Sequence, residues 1–161
     1  MTDQATTQFH HNIIKARLNK LGLKLPEAPH NAATYIPAIR SGNIVYTSGQ
    51  LPLKDGAMAS TGKVGSHVTT EEATEMARIC VLNALAAAGG VGDLDRARIL
   101  KVTGFVASSP GFNAQPAVIN GASELLLKLF GANGEHARSA VGVAELPLDA
   151  PVEVEILLEL T

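Results

Sequence analysis

The chain has no tryptophan, one cysteine, and only four phenylalanines and two tyrosines in 161 residues. Aromatics at 4% leave little with which to stack single-stranded bases. A block of one charge is also missing. Thirteen Lys and Arg stand against fifteen Asp and Glu, a net charge of −2. Without clustered Lys and Arg there is no surface to neutralise a phosphate backbone, so nucleic acid is not an expected partner. A lone cysteine, Cys80, cannot close an intramolecular disulfide, and its apolar helical setting suits a buried thiol in reducing surroundings. No apolar run reaches the roughly 20 residues of a membrane span. The polar opening MTDQATTQFHHN does not follow the basic-then-apolar pattern of an export signal. The expectation is a cytoplasmic protein with no membrane partner.

What is present is ordinary globular composition, 46% hydrophobic, in a length that suits one domain. A domain of this size buries roughly 68–70% of its unfolded surface, so no metal or disulfide staple is required. Residues 1–11 read as a frayed start. Ile14, Leu18 and Leu21 recur at helical spacing before Gly22, which predicts a short amphipathic helix over 12–21. Residues 34–39 predict an edge strand carrying Tyr35 and Pro37, and Ser41-Gly42-Asn43 a turn. Ile44 to Thr47 is a second strand, and Asp55-Gly56 a hairpin turn. Thr69 and Glu72 match a capping box that opens a helix to about Ala88, halted by Gly89-Gly90. A strand over 99–106 follows, then a helix with Pro116 in its first turn and Gly131 after its end. Strands over 138–145 and 152–160 close the chain; in the last, Val152, Val154, Ile156, Leu158 and Leu160 alternate with Glu153, Glu155, Leu157 and Glu159.

This order predicts an α+β domain: a mixed sheet with two long helices packed on one face and a short N-terminal helix beside them. The opposite face, where Leu157 sits among glutamates, then needs cover, and a second subunit is expected to supply it.

Few residues can carry chemistry. Arg138 opens a strand whose neighbours, Ala137, Ser139, Ala140 and Gly142, are small enough for a ligand to approach. Its guanidinium is a planar fork that grips a carboxylate and keeps its charge at any relevant pH. On composition alone, a structural ion pair with Glu135 or Glu145 is the commoner role of such a strand-end arginine. Glu153 could act as a base toward water if burial raised its pKa, although alternating glutamates are also what a solvated strand face looks like. A simple hairpin of the last two strands would oppose residues 144 and 153 and leave Arg138 about 20 Å from Glu153. One small ligand touches both only if another strand intervenes or two subunits contribute. His10 and His11 belong to the frayed start, and His30, His67 and His136 show no ligand spacing, so no metal site is expected. Gly89-Gly-Val-Gly92 follows a helix rather than opening one, Ser48 has no nucleophile-elbow context, Asn120 fits a surface amide, and Cys80 fits the core.

Tyr35, Gly42-Asn43 and Tyr46 to Pro52 (YTSGQLP), with Asn120 on the second long helix, resemble the N-terminal and helical signatures of the RidA/YjgF family. The stretch Ala137 to Pro147 (ARSAVGVAELP), closing with Val152-Glu-Val154, is similar to its C-terminal signature. The resemblance covers about residues 32–160. Residues 1–30 then form an extension with a short helix, and 31–161 the family-like domain, which suggests a longer, divergent subfamily. It implies a chorismate-mutase-like fold whose last strand is inserted into the sheet, a homotrimer with clefts between subunits, and no cofactor. The implied activity is hydrolysis of reactive 2-imino or enamino acids to 2-keto acids and ammonia. In that reading Arg138 anchors the substrate carboxylate and Glu153 orients or activates water. Tyr35, Ser48, Gly49 and Asn120 line the pocket, with contacts from the backbone of Ala140. Two positions depart from the pattern: Ala140 replaces the usual cysteine and His136 the usual proline. A non-catalytic protein holding or sensing a keto acid is the alternative, with an endoribonuclease less favoured by the charge balance.

Overall fold

The computed structural model describes residues 8–30 and 34–161. Helix α1 spans Asn12–Lys20, and strands β1 (Ala38–Ser41) and β2 (Ile44–Thr47) follow. A small hairpin pairs β3 (Leu53–Lys54) with β4 (Ala57–Met58) across Asp55 and Gly56, both at positive φ as a tight hairpin turn requires. Helix α2 (Thr70–Gly89), strand β5 (Ala97–Ala107), helix α3 (Gln115–Phe130), and strands β6 (Ala137–Val143) and β7 (Val152–Leu160) complete the chain.

The five long strands form one mixed sheet in the order β1-β2-β7-β5-β6. The C-terminal strand is inserted between β2 and β5 and is antiparallel to both, while β6 pairs parallel with β5 at the edge. No hairpin joins β6 to β7; β5 intervenes.

Both long helices cover one face. The capping box is complete: Thr69 Oγ1 accepts from the Glu72 amide, and Glu72 Oε2 from the Thr69 amide at 2.8 Å. Alanines on α2 bring the helices close. At the crossing, a Cβ on Gly121 would overlap the backbone carbonyl of Thr74. Neither backbone can yield without parting the helices, so Gly121→Ala is expected to cost about 1–3 kcal/mol. Thermal denaturation would show this as a fall of several degrees, about 2–4 °C per kcal/mol at this chain length.

Three expectations need correction. Strand β1 begins at Ala38, so Tyr35 precedes it; Pro37 has no N–H to give a ladder, and its carbonyl instead accepts from the Ser48 amide at 2.8 Å. Strand β6 stops at Val143, two residues early. His11 does not belong to a frayed start. It is 6% exposed, and its Nδ1 accepts from the Leu94 amide while Nε2 donates to the Gly89 carbonyl, both at 3.1 Å. The expected frayed residues 1–7 lie outside the described residues.

Helix α1 is fixed to the domain by distant partners. Its first amides, Ile13 and Ile14, donate to the two carboxylate oxygens of Asp95 at 3.0 and 2.9 Å. Ile14 and Leu18 enter the main core, and Arg17 donates to the Leu129 carbonyl near the end of α3. Among the described residues no helix is long and apolar enough to cross a membrane.

Candidate functional site

Cross-strand partners share a face of a sheet, so the register decides which side chains can meet. Arg138 lies opposite Val102, and Val102 opposite Ile156. Both partners belong to the core under the helices, so Arg138 emerges on the helix side, at the open edge. There Asn120 and Ser123, three residues apart on α3, meet it. The guanidinium Nη1 donates to Asn120 Oδ1 at 2.8 Å and to Ser123 Oγ at 3.3 Å. Ala140 lies opposite Gly104 on the same side and packs against the core.

The ion pair that competed with ligand binding is not made. Glu145 is taken by Lys63 Nζ at 3.0 Å, and among the described residues no carboxylate pairs with Arg138. Its two side-chain partners are neutral, both on one amino group, so the remaining edge of the fork and its full charge are available. An open depression of about 320 Å³ adjoins it, lined by Ser123, Leu127, Glu135, His136 and Arg138.

A second cluster forms where β2 runs out. Ser48 Oγ donates to the Ile36 carbonyl at 2.7 Å, tying the segment that carries Tyr35 to the strand end; Tyr35 itself is 59% exposed. Gln50 exchanges backbone hydrogen bonds with Val154, which brings Gly49 against Glu153. A Cβ on Gly49 would overlap the Glu153 carboxylate and push it from its present position. Burial first, and then the neighbouring Glu155, raises the Glu153 carboxyl above the ordinary carboxylate range.

These two clusters do not meet within one chain. Glu153 lies opposite Phe105, and Phe105 opposite Val141, so it stands on the face away from the helices. It is two strands and three residues from Arg138, about 14 Å between Cα positions. The structure groups Arg138, Asn120 and Ala140 on one side and Ser48, Gly49 and Glu153 on the other, with Tyr35 exposed on the segment that Ser48 ties down.

Other candidates resolve simply. Cys80 is fully buried, its thiol pushed well above its usual pKa by burial, and it donates weakly to the Val152 carbonyl, as a core residue does. Among the described residues no three His, Cys, Asp or Glu side chains gather as metal ligands would. Ser123 and His136 were not singled out by sequence reasoning as parts of this cleft. The signals were modest: Ser123 is one helical turn beyond Asn120, and His136 is two residues before Arg138 on the way into β6.

A sheet with its C-terminal strand at the centre and two long helices on one face defines a chorismate-mutase-like α+β protein of the YjgF type. The chain belongs to the RidA/YjgF family: the family model described as Endoribonuclease L-PSP matches residues 25–159. Protein TCP17 of Trypanosoma cruzi is 45% identical over 150 residues, 91% of this chain and 94% of that one. A 2-iminobutanoate/2-iminopropanoate deaminase of Dermatophagoides farinae is 32% identical over 136 residues, covering 84% and 93% of the two chains. A crystal structure of a protein of unknown function from Agrobacterium tumefaciens superposes with a TM-score of 0.88 at 44% identity, covering 94% of each chain.

Proposed function

We propose that this protein hydrolyses reactive 2-imino and enamino acids to 2-keto acids and ammonia, in clefts between the subunits of a homotrimer. The observation that carries this reading is Arg138, oriented by neutral Asn120 and Ser123 beside an open depression, with no carboxylate among the described residues paired to its guanidinium. A bidentate grip on the substrate carboxylate places the adjacent imine carbon within a few ångströms of the fork.

The water must come to that carbon from elsewhere. Glu153 has the raised pKa of a tunable base, but it lies on the other face of its own sheet. A neighbouring copy that docked its helix-free face against this chain's β6 edge would bring its Glu153, Ser48, Gly49 and Tyr35 to this chain's Arg138, Asn120 and Ala140. That face offers apolar surface for such docking: Ile39, Tyr46 and Val141 are 56%, 52% and 44% exposed. Water adds to the imine carbon, the carbinolamine collapses, and ammonia leaves. The barrier is low enough for positioning and a proton acceptor to suffice. The deaminase name carried by a relative supports the reaction class, and the sparse aromatics and balanced charge support a small anionic ligand over RNA.

The test is consumption of enzymatically generated 2-iminobutyrate. Semicarbazide trapping of the imine should fall, and 2-ketobutyrate rise faster, in proportion to added protein. A rate identical to buffer would refute turnover, and saturable keto-acid binding in the same preparation would leave a binding protein in its place.

A further inference from the structure

Beside Arg138 is a second polar chain. His136 Nδ1 lies 2.6 Å from the Gly134 carbonyl, and Nε2 lies 2.9 Å from Ser123 Oγ. A carbonyl only accepts, so Nδ1 carries the proton and donates. In the neutral ring Nε2 is then a bare acceptor, and Ser123 donates its hydroxyl proton to it. The lone pairs of Ser123 Oγ remain for others: Arg138 Nη1 takes one at 3.3 Å, and the other is left toward the depression that Ser123, His136 and Arg138 line together. A hydroxyl joined to a base, the base held in one tautomer by a third group, and a fixed positive charge beside the hydroxyl together make the arrangement of a proton acceptor.

We propose that Ser123 and His136 form a proton relay serving the ligand anchored on Arg138. Resting on the deaminase reading above, the relay gives this chain a proton acceptor on the same face as its own anchor, where Glu153 is absent. In the addition step the water oxygen bonds to C2 of the protonated imine and the C=N π pair moves to nitrogen. One water proton passes to Ser123 Oγ as the Ser123 proton passes to His136 Nε2. In the collapse His136 returns its proton through Ser123 to the nitrogen, and the C–N bond breaks with its pair on nitrogen. The hydroxyl proton departs with ammonia as ammonium, and the keto acid remains. Glu153 from the neighbouring copy then has only to orient the water. Ser123 touches the reacting atoms in this scheme; His136 acts through it.

The decisive variant is His136→Gln, whose amide can keep a donor toward Gly134 and an acceptor toward Ser123 but cannot take up a proton. With 2-iminobutyrate, kcat should fall about 10²-fold, while KM and the calorimetric Kd for 2-ketobutyrate stay within about threefold. Ser123→Ala should lose kcat similarly, and Ser123→Thr, which restores the hydroxyl, should recover most of it. Unchanged kcat in His136→Gln would overturn the relay while leaving the deaminase intact. A parallel loss of kcat and keto-acid affinity would also overturn it, reducing the pair to struts for Arg138. A wild-type protein without turnover would remove both proposals at once.

Discussion

Arg138→Ala is expected to weaken 2-keto acid binding by roughly 30- to 10³-fold, the equivalent of about 2–4 kcal/mol for a charged, two-pronged hydrogen bond. The change removes the one cation in the cleft and leaves Asn120 and Ser123 facing water, which hydrates them at little cost because the site is open. Stability should therefore move little while affinity collapses. Arg138→Lys should fall between: it keeps the charge but replaces a rigid fork by a point donor that cannot span both carboxylate oxygens and Asn120 together. Isothermal calorimetry with 2-ketobutyrate, alongside thermal denaturation, measures both quantities. Unchanged affinity in Arg138→Ala would place the ligand elsewhere, whatever the family relationship.

Glu153→Gln should lower activity without lowering stability. Turnover is expected to drop by about 10²-fold or more if the carboxylate activates the water, and by less if it only orients it, as the relay requires. Stability has a separate sign. The folded protein holds the Glu153 proton more tightly than the unfolded chain, because burial and then Glu155 disfavour the carboxylate. Below the ordinary carboxylate pKa both states are protonated and nothing is lost. As pH rises through the window between the ordinary and the raised value, the folded state is progressively destabilised, and above it the whole cost is present. A neutral glutamine escapes that cost, so the variant should melt no lower than the parent at neutral pH. Any advantage should vanish on acidification. Activity that needs the ionised carboxylate should show an acid limb above the usual carboxylate range. Melting curves and pH–rate profiles of the two proteins check each point.

Much of the local structure was legible from residue types. The capping box at Thr69 and Glu72, the Asp55-Gly56 turn, Pro116 in the first turn of α3 and the strict alternation of β7 each depend on neighbours a few residues away, and each appears where the pattern puts it. Such signals are local because a turn or a cap is closed by its own backbone. Tyr35 was misplaced because a β-favouring run was read through Pro37, whose missing donor delays the strand. The ordering of His11 and the first turn of α1 escapes sequence reading for the opposite reason: the groups that hold them, Asp95, Gly89 and Leu94, lie some eighty residues away.

The chain's own letters determined the elements, the two-helix cover on one sheet face, the motif residues and the fork at position 138. Only the tertiary structure decided where those residues face. Strand parity is a property of one strand, but the insertion of β7 beside β5 decides that Arg138 and Glu153 emerge on opposite sides. The packing of α3 against the sheet edge likewise turned Ser123, unmarked in the sequence, and His136, marked only as a departure from the family pattern, into neighbours of the anchor. Sheet order and helix docking are set by burying apolar surface between segments far apart in sequence, and that free energy depends on contacts no single window of residues contains.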